Sequence, residues 1–259
     1  MQGLPGYMRR SGFLEGILVL IVLTTGILGW GWLMQVTVER VDVRGTVNAL
    51  PGEIRELAGV DSGDVMFQIQ SDIVAERVAR HPWVAHTSIT RLPTGVLILG
   101  IRERVPVVQV LSPSGRPSFY LDRDGYPMHP SDSSSYDVPF LSGYRDDFHP
   151  GSPSADEQTL SFLAALDAER DNAGILISEI VFREGEVWLW LEPSGRHGST
   201  PVRLGADDFD EKLKRLDAFW TQRMARSQDR EFQLIDLRFS SQIISREEKR
   251  DTPARFTDP

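Results

Sequence analysis

Residues 16–34 form one uncharged apolar run, from Gly16 through Trp30 and Trp32 to Met34, preceded by Arg9 and Arg10. Nothing else in the chain restricts the fold so strongly. Its nineteen residues, at about 1.5 Å each, make a helix of about 28 Å, enough to cross the hydrocarbon core of a bilayer. Trp30 and Trp32 stand where interfacial aromatics anchor such a helix, and Arg9 and Arg10 flank only the opposite end. The positive-inside rule therefore places the N-terminus in the cytoplasm and everything after Gln35 outside. Glu15 lies at the cytoplasmic end, where a charge costs far less than at the bilayer centre. A cleaved signal peptide shares the basic start and apolar run, but its apolar region spans about 7 to 15 residues and ends in small residues for cleavage. Here the run is longer and ends Gly-Trp-Gly-Trp-Leu-Met-Gln35, which favours a retained anchor.

The rest of the 259-residue chain is long enough for one or two domains, and two are expected. It holds no cysteine, so disulfide staples, thiol chemistry and cysteine-ligated structural zinc are excluded and each domain must be stable through its own core. The net charge of −9 argues against nucleic acid, which calls for a basic face along phosphates. Lys212, Lys214 and Arg215 form a basic cluster among Asp207, Asp208, Asp210 and Glu211, a pattern that predicts a solvated helix face.

Beyond the anchor, the alternation in Val36-Thr-Val-Glu-Arg-Val-Asp-Val-Arg-Gly45 predicts a strand closed by Gly45. Pro51 suits a first helical position, Ile54 and Leu57 give a spaced apolar pair, and Gly59 suits a left-handed stop. Ser71 is expected to cap a second helix carrying Ile73, Val74, Val78 and Ala79 and ended by Pro82. Strands at 84–91 and 96–104 meet through Leu92-Pro-Thr-Gly95, giving the order β-α-α-β-β.

From residue 106 strands dominate. Phe119 to Tyr126 predicts a hairpin about Asp124-Gly125. Ser154-Ala-Asp-Glu157 matches a capping box ahead of a helix with Leu160, Leu163, Ala164 and Leu166. Strands at 175–183 and 186–192 join through Glu184-Gly185, and another covers 200–204. Phe209, Leu213, Leu216 and Trp220 recur at helical spacing over 208–224. A single last strand is expected over 231–245, then a charged disordered tail. The fold class is α+β, organised as a cytoplasmic tail (1–12), a transmembrane helix (13–34), two exported domains (35–105 and 106–245) and the tail (246–259).

Five fragments in this order resemble the FtsQ/DivIB family of bacterial division proteins. Val41-Asp-Val-Arg-Gly45 is similar to the opening strand of its POTRA domain, Gly63-Asp-Val-Met-Phe67 to the loop between that domain's helices, and His81-Pro-Trp-Val84 to the junction into the next strand. Arg91-Leu-Pro93 and Glu103-Arg-Val-Pro106 complete the set, and Asp236-Leu-Arg-Phe239 is similar to a strand of the family's β domain. A glycine often found three residues further on in the family is Gln242 here. The resemblance implies a POTRA domain over 35–105 and an FtsQ-type β domain over 106–245. It further implies a non-enzymatic scaffold of the septum that binds FtsB and FtsL and helps control the septal peptidoglycan synthase, with no cofactor and no small-molecule substrate. A POTRA-bearing envelope secretion or assembly factor is the alternative, although such proteins usually carry several POTRA repeats and a barrel.

Candidate chemistry is sparse. Asp122-Arg-Asp124-Gly125 resembles a phosphatase motif, but Tyr126-Pro-Met-His-Pro130 cannot sustain the helix an enzyme of that kind needs next. Both aspartates are expected as turn residues that Asn can replace. The histidines at 81, 86, 129, 149 and 197 show no metal-ligand spacing. Trp188 and Trp190 alternate with Val187, Leu189 and Leu191, which suits a central strand better than a sugar-binding platform. The strongest binding candidate is Phe239, Ser240, Ser241, Gln242, Ile243 and Ile244, in an uncharged strand-compatible run whose exposed edge a partner strand can occupy. The competing expectation is pairing within its own sheet, with Arg246-Glu-Glu-Lys-Arg250 as charged gatekeepers.

Overall fold

The apolar run folds as α1 (Arg9–Leu33), and residues 14–33 of it are long and apolar enough to cross a membrane, with none of that stretch buried in protein. Thr24 and Thr25, the polar side chains in mid-helix, return their hydroxyls to the carbonyls of Leu20, Ile21 and Val22, so no donor faces outward unsatisfied. The computed structural model describes residues 9–131, 134–145, 148–149, 151–153, 156–170, 177–193, 198–224 and 230–249. The expected cytoplasmic residues 1–8, Ser154, His197 and tail residues 250–259 lie outside the described residues. The chain divides into two compact units, residues up to Ala79 with Val84–Arg102, and Arg80–Trp83 with everything from Glu103.

In the first unit β1 (Arg40–Arg44), α2 (Pro51–Ala58), α3 (Ser71–Val78), β2 (Val84–Arg91) and β3 (Val96–Glu103) follow one another, with a 3₁₀ turn at Met66–Gln68. The sheet order is β1-β3-β2, and β1 runs parallel to β3 with Val41 opposite Leu97 and Val43 opposite Leu99. Ile54, Ala58, Met66, Val74 and Val78 are buried, as are Val84, Leu97 and Leu99 of the sheet. Burying each of the larger ones is worth about 1.5–3 kcal/mol. Pro51 does open α2, and Gly59 closes it at φ 59°, ψ 42°, its N–H reaching the carbonyls of Arg55 and Glu56. Gly45 is required where it stands: φ is +84° and a Cβ would lie 2.2 Å from the Ile101 carbonyl oxygen. The expected Ser71 cap is corrected. Gln70 occupies the cap position, and the Ser71 hydroxyl instead accepts a 2.6 Å bond from Arg91. A tertiary partner has taken the oxygen that the local motif would have used.

The second unit carries β4 (Val108–Leu111), β5 (Pro117–Leu121), β6 (Pro127–Met128), β7 (Phe140–Ser142), α4 (Glu157–Ala168), β8 (Ile177–Arg183), β9 (Glu186–Leu191), β10 (Thr200–Gly205), α5 (Phe209–Phe219), β11 (Arg230–Asp236) and β12 (Ile244–Lys249). Its nine described strands make one mixed sheet in the order β12-β11-β10-β9-β8-β7-β4-β5-β6. Pairs β4/β7, β7/β8 and β10/β11 are parallel, and β8/β9, β9/β10 and β11/β12 antiparallel. Glu184 and Gly185 both have positive φ, as a two-residue hairpin turn between β8 and β9 demands. Phe162 and Leu163 of α4 join Phe209, Leu213 and Leu216 of α5 in one core with Leu141, Ile180, Val187, Leu189, Leu191, Val202 and Ile235.

Two helix expectations shift. Asp156 is the cap of α4, accepting from the Thr159 N–H at 2.9 Å. The helix expected over 208–224 is α5 followed by a π turn, Trp220–Met224. The last strand departs further. Instead of one strand over 231–245 there are two, separated at 237–243, and β12 extends through Lys249 into the expected tail.

Candidate partner-binding edge

Among the described strands of the sheet, β12 stands at one end, bonded to β11 on one side only. Asp236 faces Ile244, Ile235 faces Ser245 and Phe232 faces Glu247, with a bulge between Phe232 and Leu234. Alternation puts Ser245 and Glu247 toward the core side and Ile244, Arg246 and Glu248 toward the other. Gln233 on β11 donates to the Glu248 carboxylate across the pair. Ile244 is 46% exposed.

The sequence-predicted residues do not form one strand. Phe239, Ser240 and Ser241 lie in a bend and turn, Gln242 and Ile243 in irregular backbone, and only Ile244 belongs to β12. Leu237 is fully buried and its N–H donates to the Arg203 carbonyl at 2.9 Å, which ends the strand in the core. Ile243 packs back against that core. Between these points Phe239 is 42% exposed. The Arg215 guanidinium of α5 donates to the carbonyls of Phe239 at 3.0 Å and Gln242 at 2.9 Å. Gln242 has no positive φ, so this course of the chain does not need the family's glycine.

Beside the corner lies a charged quartet. Arg203 makes a two-pronged contact with Glu186 at 2.6 and 2.9 Å and stands 5.2 Å over the Trp188 ring. Arg238 binds Asp236 at 2.8 Å and approaches Glu186 at 3.8 Å. The hydrogen bonds from Arg203 hold the Glu186 carboxyl below its ordinary value. For Asp236, burial pushes upward but the bonds from Arg238 outweigh it, and the net direction is down. Trp188 and Trp190, 6.4 Å apart, share this face of β9 while Val187, Leu189 and Leu191 are buried on the other, in an interior strand as expected.

The remaining candidates separate. Asp122 is no simple turn residue. One carboxylate oxygen accepts from the N–H groups of Asp124 and Tyr126 at 3.0 and 2.8 Å, and the other takes Arg104 at 2.8 Å. Arg104 also lies 3.6 Å over the Tyr126 ring. Burial raises the Asp122 carboxyl above its ordinary value against the pull of Arg104. No group of three His, Asp or Glu side chains among the described residues could hold a metal ion. The His81 ring accepts from the Trp83 N–H at 3.2 Å. Arg9 and Arg10 open α1, and Trp30 and Trp32, 64% and 63% exposed, stand near its other end. Sequence reasoning missed the roles of Arg104, Arg203 and Arg215, because a charged residue whose partner is distant in sequence carries no local signature; it also gave no role to Arg238, although its partner Asp236 lies two residues away.

Among the described residues, one membrane-length helix, a small β-α-α-β-β unit and a larger strand-rich unit ending in an edge strand define an α+β protein with a single apolar helix long enough to cross a membrane. Residues 36–104 match the family model described as POTRA domain, FtsQ-type, and residues 105–246 the model described as FtsQ/DivIB, C-terminal related. The chain belongs to the FtsQ/DivIB family. It is 45% identical over 246 residues to the cell division protein FtsQ of Rhodothermus marinus, covering 93% of this chain and 90% of that protein. It is 38% identical over 243 residues to the FtsQ of Salinibacter ruber, covering 92% and 93%. With the FtsQ of Geotalea daltonii the identity is 29% over 212 residues, covering 80% and 74%.

Proposed function

We propose that this protein is a non-enzymatic scaffold of the division machinery, held in the plasma membrane at the septum by α1 with its N-terminus in the cytoplasm. In this reading a POTRA domain over 35–105 and a β domain over 106–245 stand outside the membrane. The β domain binds the small division proteins of the FtsB and FtsL type, and through them the protein helps control septal peptidoglycan synthesis. The name that the relatives carry supports the division role. The observation that carries the binding mode is the terminal position of β12 in the sheet. An edge strand offers unpaired N–H and C=O groups, and a partner strand that adds there gains main-chain hydrogen bonds while alternate side chains read its sequence. Phe239 to Ile244 then act as the corner that leads into the edge, and Ile244 as its first exposed apolar side chain.

The test uses the full chain in detergent with FtsB- and FtsL-type proteins from the same cell. A chain ending after Lys249 should capture them normally, and one ending after Ile243 should not, while both retain the circular dichroism of the folded domains. Because the N–H groups of neighbouring strand residues point to opposite edges, one of Arg246→Pro and Glu247→Pro removes an outward donor and the other breaks the β11 ladder. The outward one should keep the fold and lose the partners. Undiminished capture by the chain ending after Ile243 would overturn the reading.

A further inference from the structure

We propose that Arg215 is a positioning residue for the β12 edge: its guanidinium fixes the 237–243 corner so that the edge is presented already shaped for a partner strand. The inference rests on the edge reading above and adds the residue that maintains it. The corner sequence, Leu-Arg-Phe-Ser-Ser-Gln-Ile, has no glycine or proline, and its local turn signals are Ser240-Ser241 and the preceding Asp236, whose carboxylate accepts from the Arg238 N–H at 3.1 Å. Its apolar residues keep the alternation of a strand. These signals begin the bend, and three tethers to the rest of the unit hold its course. Leu237 is locked in the core and bonded to the Arg203 carbonyl, Ile243 packs against the core, and Arg215 holds the carbonyls of Phe239 and Gln242 between them.

Arginine suits this task because two donors of one planar fork reach two acceptors three residues apart, whereas a lysine ammonium acts as a point charge. The side chain also starts from a fixed base. Its helix neighbours Leu213 and Leu216 are buried in the core, so α5 carries Arg215 as a rigid arm. Arg238, the other cation of the corner, is committed to Asp236 and does not substitute. In sequence Arg215 looks like one more charge on a solvated helix face, but its atoms are spent on the corner. Without it, the stretch from Phe239 to Gln242 loses its hold on α5, and the fraction of molecules with a correctly placed edge falls, lowering apparent affinity in proportion.

The experiment measures deuterium uptake by the full chain in detergent, with Arg215→Ala and Arg215→Lys beside the parent, and partner capture in the same preparations. Arg215→Ala should speed exchange of the 239–246 amides by about tenfold or more and lower capture as the share of molecules with a placed edge falls, with peptides over β8 and β9 unchanged. Arg215→Lys should fall between it and the parent. Unchanged exchange at 239–246, or an equal rise over β8 and β9, overturns the proposal. Unchanged capture by Arg215→Ala, when the chain ending after Ile243 has lost it, also overturns the proposal but spares the edge reading. If that shorter chain captures normally too, the edge reading itself has failed.

Discussion

Asp122 joins local and long-range demands in a single carboxylate. Its side chain is 6% exposed and that of Arg104 is 10% exposed, so the two form a buried ion pair. An asparagine keeps the oxygen that accepts from Asp124 and Tyr126, but it strips Arg104 of its counter-charge in a buried place. Asp122→Asn should therefore lower stability by about 3 kcal/mol, the size of loss seen when one partner of a buried pair is removed. Asp124→Asn, at a side chain 64% exposed, should stay within about 0.5 kcal/mol. Urea unfolding followed by tryptophan fluorescence checks both. From the sequence the two aspartates look equivalent, because the turn signal Asp-Arg-Asp-Gly contains both and says nothing of Arg104, 18 residues earlier. The same limit explains Ser71 and Arg215, whose partners lie 20 and 24 or more residues away in sequence.

Elements were legible where their cause was local. The Pro51 start and Gly59 stop of α2, the Asp124-Gly125 and Glu184-Gly185 turns, and the two-sided apolar β9 each follow from a few adjacent side chains. The division between β11 and β12 does not, because alternation continues across it and the course of the bend depends also on α5 and on the Arg203 carbonyl. The quartet that joins β9, β10 and the end of β11 gives this part of the sheet a pH dependence. Glu186 and Asp236 are held below their ordinary values when folded, so their stabilising effect is complete above the usual carboxylate range near pH 4 and is lost as pH falls through the lowered folded-state values. Stability measured by urea unfolding between pH 7 and pH 3 should fall on the acid side. The double variant Glu186→Gln, Asp236→Asn should be less stable at pH 7 and show a flatter acid limb. An equally steep limb would show that other carboxylates set the acid response.

At the scale of the whole molecule, α1 and the two units make a chain whose topology can be tested without interference, since no native thiol is present. A cysteine at Ser114, an exposed turn residue of the second unit, should react in intact cells with a membrane-impermeant maleimide. One at Ser11 should react only after permeabilisation. Reversed labelling would place the units in the cytoplasm and contradict the positive-inside assignment.

The order of strands in the second unit also ties the edge to the order of synthesis. A chain leaves the ribosome N-terminus first, and β12 is the last strand in sequence as well as the end of the sheet. The other eight strands can find their neighbours before the edge exists. A nascent or truncated molecule that stops short of residue 244 thus lacks the strand that the proposed binding mode requires. If the proposed edge is the binding strand, a copy must be translated through it before it can enlist the next protein of the assembly.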